Sequence, residues 1–270
     1  MTLRHPFNGR RAAIATMHCK ESAVGPVLAR WFGLEVERAE GVDTDALGTF
    51  TGEIARAGDM LEAARAKALQ AIRRTGATIG LGSEGAFGPH PFIPFLASGI
   101  ELIVLVDAES NHEISVQRRT RTNYDFTAVK PEHDFSDFLS RIGFPLHAVI
   151  VRPEESDDPF VVQKGVADIR TLQSAVAIMI AQSKSGRALV QTDMRAHLNP
   201  TRMKTIAFVA KALALRAARL CPACRLPGFG LVDVARGLRC SNCGAPTQLV
   251  LAEIHGCRKC GHKIIPCLSG

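Results

Sequence analysis

The sequence predicts an α/β protein with a mixed central sheet flanked by helices, followed by a small separate module at its C-terminal end. Short apolar runs typical of strands alternate with segments of helical period, which is the pattern of a sheet covered by helices. Three Cys-x-x-Cys pairs crowd into residues 221–260 and have the spacing of metal ligands. We therefore expect two units, an α/β core over residues 1–219 and a zinc-ribbon module over residues 220–270.

The first predicted elements follow from apolar periodicity and from glycines that end helices. Strands are expected at residues 12–16 and 34–37, and helices at residues 21–32 and 59–74. The first helix ends at Gly33 and the second at Gly76, because glycine readily adopts the left-handed conformation that closes a helix. Apolar residues recur every three or four positions, so each helix has one face for the core.

The rest of the predicted core contains further strands and two more helices. Strands are expected at residues 77–81, 101–106, 147–151 and 188–191, and a helix at residues 166–182. Asn199 and Pro200 begin a last helix that runs to about residue 220, because Asn favours the N-cap and Pro the first helical position. This helix leads into the cysteine-rich segment.

The net charge of +7 is concentrated near the C-terminal end. Residues 202–270 contain eleven Lys or Arg and two Asp or Glu, so they carry +9 and the preceding residues −2. Zinc-bound thiolates reduce this excess, yet the tail stays basic enough to contact phosphates or a nucleic acid. No apolar run is long enough to cross a bilayer and residues 1–11 do not resemble a signal peptide, so we expect a cytoplasmic protein with no membrane partner.

The cysteine motifs are the most specific signal in the chain. The three pairs are Cys221/Cys224, Cys240/Cys243 and Cys257/Cys260. Two cysteines with this spacing can turn both thiolates toward one ion, and two such pairs complete a tetrahedral zinc site. Gly244 and Gly261 directly follow the second and third pairs, where a tight knuckle favours positive φ. A thioredoxin-like redox pair is the main alternative, but such a motif stands alone after a strand and does not occur in triplicate.

The division of the cysteines between sites stays open at this point. The simplest site combines the first two pairs, because the fifteen residues between Cys224 and Cys240 are expected to form a hairpin. The third pair would then recruit His255, His262 or Cys267 for a second ion. Pairing of the first or the second pair with the third is the alternative.

Three segments of the core carry residue types suited to phosphate and cation chemistry. Residues 80–88 hold four glycines around Glu84, and we expect a loop whose amides approach an anion while Glu84 holds a cation. Asp59 and Glu62 lie in the first turn of a predicted helix, where acids also complement the helix dipole without any ligand. Residues 16–20 precede the first helix, which is a natural phosphate site, although a solvated lysine is the commoner outcome.

Taken in order, these segments resemble the inosine triphosphate pyrophosphatase superfamily, most closely its inosine/xanthosine triphosphatase branch. The residues that carry the resemblance are Thr16, Lys20 and Val24, then Glu62, Ala64, Lys67 and Ala68, then Gly82, Glu84 and Gly85, and more weakly residues 183–189. Each motif alone is short, and their order carries the weight. The whole chain is also similar to a group of bacterial proteins that combine such a core with such a tail.

The resemblance implies a homodimer and the magnesium-dependent hydrolysis of non-standard nucleoside triphosphates to monophosphate and pyrophosphate. It implies that Lys20 holds phosphate and that Glu62 and Glu84 hold Mg²⁺ or orient the attacking water. The positions that it places near the ligand are Thr16, Gly82 and Gly85. The first loop departs from the family, since His18 lies near the place of an asparagine and either substitutes as a donor or leaves that role unfilled. The cysteine-rich tail is not a feature of that superfamily.

One further cluster lies between a predicted strand end and a helix start, the usual location of α/β active sites. Asp193, Arg195, His197 and Arg202 could bind phosphate and move protons, with Asp193 orienting His197 as a base. The alternative is a loop whose charges pair among themselves and cap the helix.

The leading interpretation is a nucleotide- or phosphometabolite-binding core, with magnesium-dependent nucleoside triphosphate hydrolysis as its reaction and zinc in its tail. The alternative is a non-catalytic protein whose ribbon binds nucleic acid or a protein partner. Phe229 is the one aromatic residue of the ribbon that could stack on a base, and single-strand binders generally need more.

Overall fold

A computed structural model of the protein describes residues 4–42, 58–132 and 134–265. These residues form two sheets flanked by helices and a third, small sheet in the cysteine-rich tail. The predicted α/β class is confirmed, but the strands of the core are divided between two sheets where one central sheet was expected. The predicted loop between the second strand and the second helix lies largely outside the described residues.

The first sheet is mixed and has the strand order β2-β1-β3-β4-β5. Its strands are β1 (Arg11–Ile14), β2 (Glu35–Arg38), β3 (Ile79–His90), β4 (Ile93–Asp107) and β5 (His112–Arg121). Strand β1 pairs parallel with both β2 and β3, whereas β3, β4 and β5 form an antiparallel meander. Strands β1 and β2 have four residues each, and the long hairpin of β3 and β4 extends beyond them.

Helices cover both faces of this sheet. The helices of the described chain are α1 (Glu21–Phe32), α2 (Met60–Thr75), α3 (Ser136–Ile142), α4 (Ile169–Ala181) and α5 (Pro200–Ala217), of which α1, α2 and α5 pack on this sheet. Helices α1 and α5 pack on the face formed by alternate residues such as Leu81, Ile103 and Leu105. Helix α2 packs on the opposite face, against Leu102 and Val104. The alternation along β4 places successive side chains in two separate apolar clusters.

The second sheet has the order β6-β9-β7-β8, and its pairs are antiparallel. Its strands are β6 (Phe126–Val129), β7 (Val149–Pro153), β8 (Gln163–Val166) and β9 (Ala188–Thr192). Helices α3 and α4 complete its core, with Phe138, Leu139, Leu172 and Val176 as buried contributors. The sequence analysis missed β6, β8 and α3, since four or seven residues give too few periods for a pattern to register.

The glycine-rich segment over residues 80–88 is a strand and not the predicted loop. It continues β3 and pairs residue by residue with β4. Its glycines serve close packing: a Cβ at Gly80 or at Gly82 would collide with carbonyl oxygens of α2, namely those of Ala68 and Ala64. Glycine is required here because a helix backbone lies directly on the sheet.

The tail forms a three-stranded antiparallel sheet of β10 (Gly230–Arg236), β11 (Val250–Gly256) and β12 (Lys263–Ile264). The predicted hairpin between the first two cysteine pairs is wrong, because that segment contributes β10 alone and the partner strand β11 follows the second pair. The tail docks on the core where His112 Nε2 donates to Pro227 O at 2.8 Å and Arg216 Nε donates to Gly228 O at 3.2 Å. Within the described ranges, no helix combines the length and the apolar character needed to span a membrane.

Candidate functional site

The topology of the first sheet creates a crevice at the carboxyl end of β1. Strands β2 and β3 flank β1 in parallel, and the connecting helices α1 and α2 lie on opposite faces of the sheet. Such a reversal of strand order separates the two following loops and is the usual ligand position in open α/β sheets. The residues that follow β1 include Thr16, His18 and Lys20.

Lys20 lies at this crevice with its side chain almost completely buried. It is 7% exposed and immediately precedes α1, and its Nζ donates to the backbone oxygen and to Oγ of Ser83, each at 3.3 Å. Burial, together with the positive charge of Arg202, lowers the pKa of Lys20 to about 7. A buried ammonium whose hydrogen bonds are long is poised to accept a negatively charged partner.

Two buried ion pairs flank Lys20. On the face covered by α5, Arg202 Nε donates to Glu101 Oε1 at 2.6 Å. On the face covered by α2, Lys67 pairs with Glu84, and both side chains are buried. The negative charges of Glu101 and Glu84 both raise the pKa of Lys20, so the two carboxylates are the acidic groups that act on it electrostatically. The crevice thus has one cation–carboxylate pair on each face of the sheet beside Lys20.

The Arg202–Glu101 pair is tightly enclosed and incompletely satisfied. A Cβ at Gly85 would lie 2.5 Å from Arg202 Nη2 and 2.7 Å from Glu101 Oε1, so only glycine fits opposite the pair. The guanidinium of Arg202 also lies 4.9 Å from the ring centre of Phe87 and donates to the carbonyl of Met194. Among the described residues, Glu101 Oε2 has no hydrogen-bond partner although it is buried. Buried carboxylate oxygens are usually hydrogen-bonded, so this oxygen could accept a bond from a ligand, a water molecule or an ion.

His18 and His197 stack against each other beside these pairs, with ring centres 5.1 Å apart. Burial and the nearby charge of Lys20 lower the pKa of His18 to about 3, and burial with Arg195 lowers the pKa of His197. Both rings are therefore neutral at physiological pH and can donate or accept hydrogen bonds. The Thr16 hydroxyl accepts a hydrogen bond from the His18 amide at 3.1 Å, which shapes the loop.

The loop after β9 pairs its own charges and caps α5, which is the alternative that the sequence offered, and the expected orientation of His197 by Asp193 is wrong. The buried carboxylate of Asp193 accepts from Arg195 Nη2 at 2.6 Å and from the Gly165 amide at 3.1 Å, so its hydrogen bonds go to these groups and not to His197. The Asn199 side chain caps α5 by accepting from the Arg202 amide at 2.9 Å. His197 and Arg202 nevertheless reach the crevice, where they meet His18 and Lys20.

The structure separates the remaining predicted residues by role. Gly82 faces α2 and serves packing, as described above, whereas Gly85 lies against the Arg202–Glu101 pair. Glu62 is exposed, and its carboxylate accepts from the Asp59 amide at 3.1 Å in a capping box that begins α2. Both acids thus serve the start of the helix without a ligand, and a role of Glu62 at a cation stays a prediction.

Sequence reasoning missed Glu101 and Ser83 as members of the crevice. Glu101 interrupts an apolar run that forms a buried strand, and an acidic residue in such a run signals a paired or functional carboxylate. Ser83 carries no comparable signal. It accepts hydrogen bonds from Lys20 because β3 continues past its last pairing with β1, which leaves the backbone of Ser83 open to the crevice.

In the tail, one group of four cysteines is arranged so that it could hold a metal ion. The thiol sulfurs of Cys221, Cys224, Cys257 and Cys260 all lie within 4.8 Å of one another. The Sγ atoms of Cys221 and Cys260 are 3.6 Å apart, and those of Cys224 and Cys257 are 3.7 Å apart. A tetrahedron with metal–sulfur bonds of about 2.3 Å has edges of roughly 3.8 Å, so the spacing fits a four-thiolate site for zinc.

This grouping corrects the simplest assignment from the sequence. The first cysteine pair joins the third and not the second, because β10 leaves the first pair and β11 returns antiparallel to the third, with Gly230 opposite Gly256. Cys240 and Cys243 lie at the other end of this hairpin. His255 Nε2 lies 3.2 Å from Glu253 Oε2, the ring of His262 lies beside that of Phe229, and Cys267 lies outside the described residues.

A large cleft separates the tail from the first sheet. Its volume is about 1000 Å³, and it is lined by β5, α5 and the tail strands. Four arginines contribute to it: Arg118, Arg216, Arg219 and Arg258. Burial and the charges of the other three lower the pKa of Arg216. The lining also includes the carboxylates of Asp59, Asp233 and Glu253, so the four arginines leave its net charge at +1.

A protein-family profile described as a domain of unknown function (DUF6671) matches residues 67–267. The chain belongs to this family. The DUF6671 match runs from within α2 through β12, so it includes Glu84, Glu101, Arg202 and the cysteine pairs, while Lys20 precedes it. No curated protein and no solved structure gave a significant match to the chain.

Proposed function

We propose that the core binds a phosphate-bearing small molecule in the crevice at the carboxyl end of β1. The observation that carries this proposal is Lys20, a buried lysine just before α1 whose side-chain hydrogen bonds within the described chain go only to Ser83. Three further cations lie close by in buried or partly buried ion pairs, Lys67, Arg195 and Arg202. Each of those has its own carboxylate, so an incoming phosphate is the natural counter-charge for Lys20.

The surrounding groups favour phosphate over a simple carboxylate. The neutral rings of His18 and His197 offer further hydrogen-bond donors beside the lysine, which suits an anion with three or more oxygens. Glu101 Oε2 supplies an acceptor for a ligand hydroxyl or amino group, as a ribose or a base would provide. We therefore propose a nucleotide or a similar phosphometabolite as the ligand class.

Calorimetric titration of the full chain with nucleoside mono- and triphosphates, inorganic phosphate and pyrophosphate tests this proposal. Lys20→Met is expected to weaken binding at least tenfold, since a hydrogen bond to a charged group contributes about 1.5–3 kcal/mol. Lys211→Met is the matched control, because Lys211 is an exposed lysine of α5 outside the crevice. Equal affinities of the two variants would contradict the proposed site.

The finer proposal is that the crevice hydrolyses a nucleoside triphosphate to monophosphate and pyrophosphate with Mg²⁺. Glu84 and Glu101 are the carboxylates that act on Lys20, and Mg²⁺ held there would neutralise the charge of the triphosphate. Lys20 and Arg202 would stabilise the charge that develops when water attacks the α-phosphorus. Pyrophosphate release from canonical and deaminated purine triphosphates tests it: activity that is lost in Glu84→Gln supports it, and binding without turnover rejects it.

We also propose that the ion of the four-cysteine group is zinc and that its role is structural. The four sulfurs match the edges of a zinc–thiolate tetrahedron, and the site is closed because all four ligands are thiolates. Cys221 and Cys257 are buried, which is suited to a permanent ion. Elemental analysis of the purified chain tests the identity of the metal, and a chain folded without zinc would reject it.

A second candidate function, nucleic-acid binding, is favoured by the four arginines of the cleft between the tail and the core. Arg216 and Arg258 also tie the tail to the core, through Leu231 O and Ser115 Oγ. Arg118 and Arg219 are exposed, and the one side-chain hydrogen bond that either guanidinium donates in the described chain goes to the carbonyl of the adjacent Gln117. Those two arginines are available for phosphates without loss of the docking contacts.

Anisotropy titrations with labelled oligonucleotides at several salt concentrations test the second candidate. The double variant Arg118→Ala/Arg219→Ala should lower the slope of log K against log salt by about 1.4 for single strands, since each phosphate contact contributes about 0.7. Arg170→Ala, an exposed arginine of α4, is the control. An unchanged slope in the double variant would reject the cleft as the nucleic-acid site.

A further inference from the structure

The three cysteine pairs have the same backbone geometry, including the pair that lies outside the four-cysteine group. In each knuckle the amide of the first cysteine donates to the carbonyl five residues later, at 2.8 Å in all three cases. The carbonyl of that cysteine accepts from the amide four residues later, at 2.9–3.0 Å. The residue directly after each second cysteine has positive φ: Arg225, Gly244 and Gly261.

The shared geometry makes the second knuckle a prepared metal ligand. Its hydrogen bonds turn both thiols to one side, as they do in the two knuckles that meet in the four-cysteine group. The hairpin of β10 and β11 holds it away from that group, and seven residues of extended strand span about 20 Å. Within the described residues, no group of three or more metal-ligating side chains includes Cys240 or Cys243.

The surroundings of the second knuckle are those of a surface that another protein chain covers. Cys243 is exposed, and the neighbouring Leu238, Leu249 and Val250 are 42%, 62% and 44% exposed. Arg239 Nη1 donates to Gly244 O at 3.2 Å, so a positive charge lies on the knuckle itself. Apolar side chains around a half-complete ligand set suit a protein partner that brings two more thiolates.

We propose that Cys240 and Cys243 form half of a second zinc site, which the same pair of a second copy of this chain completes. Zinc in a structural site takes four ligands, and a two-fold axis through the ion brings two identical knuckles together. The charge also balances: four thiolates and one Zn²⁺ leave −2, and the two copies of Arg239 supply +2. The inference relies on the proposed function only for zinc as the metal.

Zinc content and mass of the full chain test this inference together. We expect about 1.5 zinc ions per chain, one from the four-cysteine group and one shared by two chains. Cys240→Ser/Cys243→Ser should reduce the content to about 1.0 and halve the molar mass in solution, because only the shared ion is lost. Cys19→Ser, which removes a cysteine outside all three knuckles, is the control and should change neither value.

Each other outcome overturns the proposal in a recognisable way. A wild-type content of about 1.0 shows that the second knuckle holds no zinc, and about 2.0 shows that each chain completes its own second site. A loss of zinc in Cys267→Ser would also overturn it, since the ligand would then come from the same tail. Failure of the structural zinc proposal is distinct from these outcomes, because an empty four-cysteine group would lower the content of wild type and variant alike by about 1.0 and leave the difference of about 0.5 between them.

Discussion

Replacement of Lys20 by methionine should stabilise the protein at neutral pH and remove a pH dependence of its stability. The native pKa of Lys20 is about 7 against an ordinary value of 10.5, because burial disfavours the ammonium form. At 1.36 kcal/mol per pKa unit, burial of the charged lysine costs about 5 kcal/mol. Methionine fills similar space without a charge to bury.

The sign of the effect follows from proton binding in the two states. Below pH 7 the lysine is charged in both native and unfolded protein, so the full cost is present. Between pH 7 and 10.5 the unfolded lysine still binds a proton that the native lysine has released, so the stability of the wild type rises with pH. The advantage of Lys20→Met should therefore fall from about 5 kcal/mol at pH 6.5 to about 1 kcal/mol at pH 9.5.

Urea unfolding of both proteins, followed by far-ultraviolet circular dichroism from pH 6.5 to 9.5, measures this difference directly. Lys211→Met should show no comparable trend, because its side chain is exposed. Addition of inorganic phosphate at low pH should narrow the gap if the anion supplies the missing counter-charge. A gap that is equal at both ends of the pH range would refute the burial argument for Lys20.

Three further predictions concern packing, the buried ion pair and the metal. Gly82→Ala should lose about 3 kcal/mol or more in thermal or urea unfolding because its Cβ meets the backbone of α2, whereas Gly88→Ala, with open space at the same strand, should be nearly neutral. Arg202→Met should cost about 3–5 kcal/mol by leaving Glu101 buried without its partner, and Arg202→Met/Glu101→Gln should recover part of that loss; equal stability of the single and double variants would contradict the pairing. Removal of metal by a chelator should raise hydrogen exchange across residues 221–265 while β3 and β4 stay protected, and uniform exposure of the whole chain would contradict separate stabilisation of the tail.

The parts of the fold that the sequence predicted are those with strong local signals. Helix α1 begins and ends as predicted, and Gly33, Gly76, Gly244 and Gly261 all adopt the positive φ that their positions required. The pairing of the first and third cysteine pairs could not be read from spacing, because it depends on the register of β10 with β11, which forms only across the second knuckle. The glycines of β3 suggested a loop since their actual reason, a helix backbone lying on the strand, is a tertiary contact.

The crevice shows the same division between local and tertiary information. Lys20, His18 and Arg202 were recognised from residue type and position after strands or before helices. Their convergence on one place follows from the sheet order, which no single segment encodes. Glu101 was overlooked because it belongs to a mainly apolar strand. Its ion pair with Arg202 of α5 is a tertiary contact that the strand's own sequence does not indicate.

An ion held by the four-cysteine group would also cross-link the tail, because it would close a ring that runs from Cys221 to Cys260. By loop-closure arithmetic, a ring of about 40 residues removes roughly 4 kcal/mol of conformational freedom from the unfolded tail. The ring also carries Arg258 to the surface of β5, where its Nη1 lies 3.4 Å from Ser115 Oγ, next to the arginines of the core. A closed ring keeps Arg258 beside the arginines of the core, so an anion that binds between them would raise the affinity of the tail for a metal by the same factor that the metal raises the affinity for the anion.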